Sequence, residues 1–399
     1  MLRFIPPAGA PLGLSQIVGA LVRAVRKRRN SDEIVGQFAN QLGVPFAYGT
    51  SSGRAGLYTI LRALHRLRPD RKVVAVPAYV CFSVPAAVAR AGLQLLPIEI
   101  DPGRLDFDFA HLESVVSERL LCILSANLFG LVNDLARTER IARETGAFVI
   151  DDAAQACGAT RDGRLAGTGG DVGLFSFGRG KVLGSLRGGL IVTRSAEIAA
   201  AVKSENDTLP AAGFVSDGRL LLEMIAYSVF FDPSWYWVPN SLPFLKLGVT
   251  EFNQAFVVAK PSTLAMAVVQ QLLPGMGNHR AIRRSYASRF TRDLQGHPKF
   301  VILEPPPGCM PTYIRFPVIA RDEETRARAI AKLRSKGIGA SPFYPSAICD
   351  IGGIDRYTGP GNPHRPQAES LARTLLTLPT GPHVTERDLE QIRGILWSI

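Results

Sequence analysis

The sequence predicts an α/β protein: a large domain on a mainly parallel, mixed sheet, followed by a smaller α+β domain at the C-terminal end. Three observations carry this. Between about residues 46 and 195, short apolar runs at 73–77 (VVAVP), 93–100 (LQLLPIEI), 120–126 (LLCILSA) and 148–152 (FVIDD) alternate with stretches of helical period. The runs are apolar at successive positions, which suits strands covered on both faces, as in a parallel sheet. With 399 residues the chain exceeds one compact core, so a second domain is expected.

The linking segments 53–64, 84–91, 109–116 and 135–145 can each form a crossover helix, giving repeated βαβ units. Ahead of them, Ser15 can cap a helix carrying Ile17, Val18, Leu21, Val22 and Val25, closed by the basic run Arg26-Lys27-Arg28-Arg29. That run reads as a solvated helix end, or as a phosphate or membrane-surface contact. Residues 205–275 break the rhythm. Their apolar run, LLLEMIAYSVFF, is far shorter than the roughly 20 residues that span a bilayer. A buried or dimer-facing helix pair is expected there, with the alternative of an interfacial element whose Trp235, Tyr236 and Trp237 touch lipid headgroups or an apolar substrate tail. Beyond residue 276 the pattern predicts a long helix from Asn278 through Arg289, a strand at 312–318 (TYIRFPV), a helix over 323–336 and a last helix capped by Thr385 with Asp388. The expected division is an N-terminal arm and basic helix (1–45), a large domain (46–204), an apolar insertion and linker that completes the large domain or a dimer interface (205–275), and a small domain (276–399).

Composition narrows the function classes. Apolar residues at 46% and charged residues at 20% describe a folded globular chain. The net charge of +12 attracts nucleic acid, anionic lipid and phosphorylated small molecules alike. No zinc-finger spacing, RNA-binding signature or basic tail is visible, so neither a nucleic-acid partner nor a metal site is expected. The cysteines, Cys81, Cys122, Cys157, Cys309 and Cys349, include no CxxC pair and do not suggest a disulfide framework. Prolines and glycines stand near the N-terminus where a signal peptide needs a continuous apolar stretch. A cytoplasmic protein is expected, with peripheral contact to the inner face of a membrane left open.

The chemistry concentrates in residues 148–193. One apolar strand ends in Asp151-Asp152, and another, GLFSF, runs through Ser176 toward Lys181, with Gly178 and Gly180 close before it. Ligands of parallel sheets sit at such strand ends. A carboxylate buried there is costly unless a cation pairs with it, and a protonated pyridine nitrogen is such a cation. A lysine amine condenses with an aldehyde and can exchange it with a substrate amine. Upstream, SSGRAGL is a small-residue turn running into a helix near Gly53, so free amides at residues 53–55 can hold a phosphate, with Ser176 and Arg54 as further donors. A lone strand-end lysine is usually a solvated residue, and SSGRAG alone is usually an ordinary capped helix start. Their conjunction carries the inference.

These segments, IDDAAQACGA, GGDVGLFSFGRGK, GGLIVT, SSGRAGL, VPAY and AESLARTLLTLPTGPHVTERDLEQI, together resemble the DegT/DnrJ/EryC1/StrS family of pyridoxal-phosphate enzymes. Most of that family are nucleotide-sugar aminotransferases with the type I, aspartate-aminotransferase-like fold. The resemblance implies pyridoxal 5'-phosphate as cofactor, Lys181 as its Schiff-base lysine, Asp152 as partner of the pyridine nitrogen, and Gln155 near the ring and its phenolic oxygen. It implies Ser176 and the turn Gly53, Arg54 and Ala55 as phosphate binders, although Arg54 stands where threonine is commoner. Cys81 falls where many relatives stack an aromatic ring, and it reads as a small packing residue on the cofactor face. Arg187 replaces an acidic residue before the GG pair. Lys260 stands roughly where the family has a partner-subunit motif, and Asn253 lies too far upstream to belong to it. A keto-sugar nucleotide, an amino donor such as glutamate and a homodimer follow from the resemblance. Two alternatives stand beside it: a lipid-linked or otherwise apolar keto substrate, and a non-catalytic cofactor-binding regulator.

Overall fold

The computed structural model describes residues 3–26, 31–245, 248, 250–359 and 364–399. Its large sheet has seven strands: β1 (Phe46–Thr50), β2 (Val73–Pro77), β3 (Gln94–Ile98), β4 (Leu120–Ala126), β5 (Phe148–Asp152), β6 (Val172–Ser176) and β7 (Gly189–Thr193). Their spatial order is β1-β7-β6-β5-β4-β2-β3. Only β7 runs against the others, pairing antiparallel with β1 and with β6. Every residue of β4, β5 and β7 is buried, as two-sided covering requires. The apolar run at 93–100 does not stay one strand: it ends at Ile98, and Ile100–Asp101 turns away to pair with Asp106–Phe107.

The covering helices are α1 (Leu14–Arg26), α2 (Ser31–Leu42), α3 (Gly53–Leu67), α4 (Ser83–Arg90), α5 (Phe109–Val115), α6 (Leu135–Thr145) and α7 (Ala196–Asp207). Caps explain several starts. The side chains of Ser52, Asp108, Asp134 and Ser195 each accept a backbone N–H in the first turn, supplying a partner to a helix N-terminus. Ser15 does not cap α1. The helix begins one residue earlier, and the Gly13 amide donates to Gln16 Oε1 at 2.9 Å. Of the basic run, Arg26 ends α1, and Lys27, Arg28 and Arg29 lie outside the described residues.

Residues 205–275 contribute α8 (Phe214–Phe230), an irregular stretch and α9 (Thr263–Leu272). Helix α8 turns Leu220 and Met224 into the core, while Leu222 stays 70% exposed. The irregular stretch is fastened at Phe256, whose ring sits under the guanidiniums of Arg54 at 5.3 Å and Arg90 at 4.4 Å. Helix α9 is buried on all sides, with α1 and α2 packed against it. Ile17 and Ala20 of α1 and Ile34, Val35, Phe38 and Ala39 of α2 pack in the same core cluster as α9.

The small domain holds α10 (Met276–Leu294), β8 (Phe300–Ile302), β9 (Phe316–Ala320), α11 (Glu323–Ser335), α12 (Pro366–Thr374), β10 (Leu375–Leu378) and α13 (Glu386–Trp397), with strand order β8-β9-β10. Thr385 and Asp388 form the expected capping box. The run TYIRFPV becomes a strand only from Phe316. Its first half bonds instead to the loop after β4, through Thr312 N to Gly130 O at 3.4 Å and Ile314 N to Phe129 O at 3.2 Å. The N-terminal segment crosses the small domain, held by the wholly buried Arg283, which donates to Gly9 O at 2.6 Å and Ile314 O at 3.0 Å.

Candidate active site

Parallel strands put their carboxyl ends on one edge, and there the structure opens a cavity of about 630 Å³. Lys181, Asp152, Gln155, Ser176, Cys81, Gly53 and Arg54 all line it. Residues distant in sequence are thus brought to one place by β5, β6, the turn after β1 and the loop after β2. Ala55 is the exception among the expected residues. It is fully buried behind the turn, and its amide donates to Ser52 Oγ at 3.1 Å.

Adjacent residues of a strand point to opposite faces, and this separates the two acids that end β5. Asp151 faces away from the cavity and is satisfied by Asn127 Nδ2 at 2.8 Å and the amides of Gly167 at 2.6 Å and Gly169 at 3.2 Å. Asp152 faces in. Its Oδ1 accepts from Ala154 N at 2.9 Å, and its Oδ2 has no hydrogen-bond partner among the described residues. Burial pushes its carboxyl up to about 6, opposed by the Ala154 bond and by the charge of Lys181.

Lys181 follows Gly180, which takes a φ of +80° that favours glycine. The amine makes no hydrogen bond or ion pair among the described residues. Burial lowers its affinity for protons, while Cys81 and Asp152 oppose that and the Arg315 charge adds to it. A lysine amine whose proton affinity burial lowers is a better nucleophile and base.

Gln155 is fixed from both sides: its Oε1 accepts from Phe129 N at 2.9 Å and its Nε2 donates to Tyr344 OH at 2.7 Å. Phe129 presents that amide from a left-handed turn at φ +58°. Cys81 Sγ accepts from Ser83 Oγ at 3.0 Å and lies 3.7 Å from Thr250 Oγ1.

The turn after β1 and the end of β6 are joined by close approach. A Cβ on Gly53 would stand 2.7 Å from Ser176 Cβ, and one on Gly189 would stand 2.6 Å from the Ser52 carbonyl carbon. Bare backbone at both positions lets the Gly53 and Arg54 amides meet the end of β6. The Arg54 side chain leaves this junction and donates to Asn253 O at 3.3 Å.

Arg219 of α8, Phe256 and Val257, which the sequence did not single out, line the cavity, as does Arg187, noted before the GG pair. Glu223 draws together Arg187 at 2.9 Å, Arg219 at 3.2 Å and Arg179 at 3.5 Å. Neither Lys260 nor Asn253 lines the cavity of its own chain. Asn127 could have been found from its place after the apolar strand LLCILSA. Tyr344 and Arg219 carry no local signal.

The family model of the DegT/DnrJ/EryC1/StrS aminotransferases matches residues 23–396. The chain belongs to this family. It is similar to the UDP-N-acetyl-3-dehydro-alpha-D-glucosamine 3-aminotransferase of Acidithiobacillus ferrooxidans, at 25% identity over 90% of this chain and 86% of the relative. Among solved structures it resembles Helicobacter pylori PseC, with a TM-score of 0.80 at 15% identity, covering 99% of each chain. It also resembles the GDP-4-keto-6-deoxy-D-mannose-3-dehydratase of E. coli with bound hydrated pyridoxal phosphate, with a TM-score of 0.78 at 19% identity, covering 99% of this chain and 100% of that one. The protein is a pyridoxal-phosphate-dependent aminotransferase with the fold of this family.

The donor set fits that cofactor. The Asp152 oxygen without a partner among the described residues suits a pyridinium N–H, the Lys181 amine, likewise without one there, suits an aldehyde, and Gly53, Arg54 and Ser176 on the cavity wall suit a phosphate.

Proposed function

We propose that this chain transfers an amino group from glutamate to a keto-sugar carried on a nucleotide, with Lys181, Asp152 and Gln155 as its catalytic residues. The observation that carries the assignment is the meeting, in one cavity, of a half-buried amine and a buried carboxylate oxygen that have no hydrogen-bond partner among the described residues. The cofactor, when bound, supplies the electron sink and carries the amino group between the two substrates. Asp152 keeps the ring nitrogen protonated, which strengthens that sink. Lys181 would hold the cofactor's aldehyde carbon, and its amine would move a proton at the substrate carbon that bears nitrogen. Gln155, locked by Phe129 and Tyr344, holds its amide beside the ring. Gly53, Arg54 and Ser176 bind the phosphate, and Cys81 packs on the ring face.

The substrate in the name of the A. ferrooxidans relative, a UDP-linked dehydro sugar, supports the acceptor class. The guanidiniums of Arg187 and Arg219 on the wall suit an acceptor that carries a diphosphate. A homodimer belongs to the same reading, since Leu14, Val18, Val22 and Val25 of α1 leave an apolar face for a second copy. The test is incubation of the cofactor-loaded protein with glutamate and a panel of keto-sugar nucleotides, reading 2-oxoglutarate and the aminated nucleotide. Both are expected. A cofactor absorption band that no amine perturbs would instead identify a regulator.

A second reading, a lipid-linked keto substrate, is favoured by exposed Trp235 and Trp237 and by Phe244, which is 74% exposed. Among the described residues no helix is long and apolar enough to cross a membrane, so this reading places the protein at a membrane surface. Silence on the nucleotide panel, together with turnover of a keto-sugar lipid in anionic vesicles, would select it.

A further inference from the structure

Gln155 is gripped by the small domain as well as by the large one. Its backbone carbonyl accepts from Thr312 Oγ1 at 3.2 Å, and its side-chain Nε2 donates to Tyr344 OH at 2.7 Å. Both partners are buried, Thr312 just ahead of β9 and Tyr344 in the loop after α11. The third bond comes from the large domain, where Phe129 N donates to Oε1 at 2.9 Å. A backbone N–H only donates, so it fixes which end of the amide is oxygen. Nε2 therefore faces Tyr344 with two hydrogens, one taken by that hydroxyl and one without a partner among the described residues. Gln155 lines the main cavity, and Tyr344 stands behind it.

The joint that makes this grip is held in unfavourable backbone. Six non-glycine residues have a positive φ among the described residues, and three of them meet here: Phe129 at +58°, Tyr313 at +45° and Phe343 at +73°. Bulky side chains rarely adopt that region, and such outliers persist only where their surroundings over-determine them. On either side of Tyr313, Thr312 N and Ile314 N donate to Gly130 O at 3.4 Å and Phe129 O at 3.2 Å. The Phe343 ring lies 4.5 Å from that of Phe129 and 4.2 Å from that of Tyr344, and Tyr79 OH of the large domain accepts from Tyr344 N at 3.3 Å. A Cβ on Gly130 would stand 2.0 Å from Thr312 Oγ1, so bare backbone lets the two domains approach this closely. Apolar packing alone would join the domains without left-handed aromatic residues. What the bent backbone adds is the aim of two small-domain hydroxyls at one cavity residue. Burial, and then Cys81, Tyr79 and Asp152, hold the Tyr344 phenol well above its ordinary range, so its hydroxyl stays neutral.

We propose that Tyr344 and Thr312 are positioning residues of the transamination site: through this strained joint the small domain holds Gln155 so that its spare N–H is offered to the cofactor ring. It rests on the placement of Gln155 beside that ring, proposed above. A glutamine side chain samples several rotamers unless bonds remove that freedom. Without the Tyr344 hydroxyl, Nε2 keeps two unclaimed hydrogens in a buried setting, and the amide gains by swinging toward another acceptor. An N–H donated to an oxygen of the ring stabilises negative charge there and lowers the affinity for protons nearby. The pH at which the visible band of the bound cofactor changes therefore reports whether the amide is in place. The small domain, which carries none of the proposed catalytic side chains, thereby sets one of them.

A pH titration of that band in cofactor-loaded protein, without substrate, tests this. Gln155→Ala is expected to raise the midpoint by about one pH unit, the worth of one neutral hydrogen bond. Tyr344→Phe, which keeps the ring and removes the hydroxyl, is expected to raise it by about half a unit, and Thr312→Val by about 0.3 unit. In the Gln155→Ala background neither should move it further. A merely structural role lowers the melting temperature and leaves the midpoint where it was. A folded Tyr344→Phe protein with the parent's midpoint therefore overturns the proposal, as does a shift that persists undiminished without Gln155. If Tyr344→Phe does not fold, Thr312→Val decides, and an unmoved midpoint there overturns it. Failure of the underlying placement is seen separately, as a Gln155→Ala protein that loads cofactor and keeps the parent's midpoint.

Discussion

The carboxyl edge of the sheet and the segment between Leu209 and Lys260 wall the same cavity but are held by different forces. At the sheet edge, Asp151, Asn127, Asn133 and Gln155 are hydrogen-bonded to neighbours in a fully buried setting, and Ser52 caps the helix that carries Gly53 and Arg54. In the segment, Val215 is 88% exposed, Leu222 70% and Val257 74%, and Phe256 is held by cation–π contacts with Arg54 and Arg90. A saturated polar network fixes geometry, since any displacement strands a buried group. Surface cation–π contacts are worth about 0.5–1 kcal/mol and tolerate change. The proposed reaction chemistry lies on the rigid wall, while the segment is fastened mainly where Ser51 and Arg90 bond to its backbone at Val257 and Phe256.

The largest expected break falls on the rigid wall. On the proposed assignment Lys181→Ala removes the covalent attachment and the base together, so transaminase turnover should fall by at least about 10³-fold, with loss of the visible band of the bound cofactor. Spectra and a coupled 2-oxoglutarate assay check this. A variant that keeps both colour and turnover would falsify the assignment of the whole cavity.

Asp152→Asn should cost about 10²- to 10³-fold in turnover, since an amide does not hold the ring nitrogen protonated. Its effect on stability has the opposite sign. Burial pushes the acid up to about 6 in the folded, cofactor-free protein, against about 3.9 in an unfolded chain. The folded state holds that proton more tightly, so the stability it contributes is present below the unfolded value and is lost as pH rises through about 6, by about 3 kcal/mol. The asparagine variant is expected to lack this loss, making it the more stable protein at pH 7 without cofactor. Thermal melts of both proteins between pH 4 and 7 test the sign.

Gly53→Ala tests the proposed phosphate site. The added Cβ stands 2.7 Å from Ser176 Cβ, so β6 or the turn must shift. Overpacking of this kind costs about 1–3 kcal/mol, and cofactor affinity should drop roughly 10-fold or more. Titration of pyridoxal phosphate into the cofactor-free variant measures it.

The same contrast governs what could be read in advance. On the rigid wall, apolar strands, a capped turn and strand-end polar residues are local signals, and Lys181, Asp152, Gln155, Ser176, Gly53 and Arg54 all reach one cavity. Ala55 did not follow, because its amide belongs to the Ser52 cap, a geometry that composition does not specify. Arg219, Tyr344 and Arg315 were illegible. Arg219 lines the cavity, Tyr344 meets it through Gln155 and Arg315 lies on the small domain outside it, each on an element whose place depends on tertiary packing. For Arg315, the strand expected over 312–318 starts late because Tyr313 takes φ +45° and its neighbours bond to Phe129 and Gly130. A periodicity argument has no means of seeing such a non-local pairing.

The smallest effect is expected on the tolerant wall, and it sharpens the comparison. Replacing Val215 and Leu222 with serine removes side chains already 88% and 70% exposed, so the isolated chain should change in stability by no more than about 0.5 kcal/mol per site. If a second copy covers this face, the cost moves from unfolding to association: the melting temperature at high dilution stays fixed while the mass in solution shifts toward monomer. Sedimentation across a range of protein concentrations separates the two. A double variant with unchanged melting and unchanged mass would free these residues from the dimer and leave their exposed apolar surface to the vesicle experiment, where Trp235, Trp237 and Phe244 become the next positions to replace.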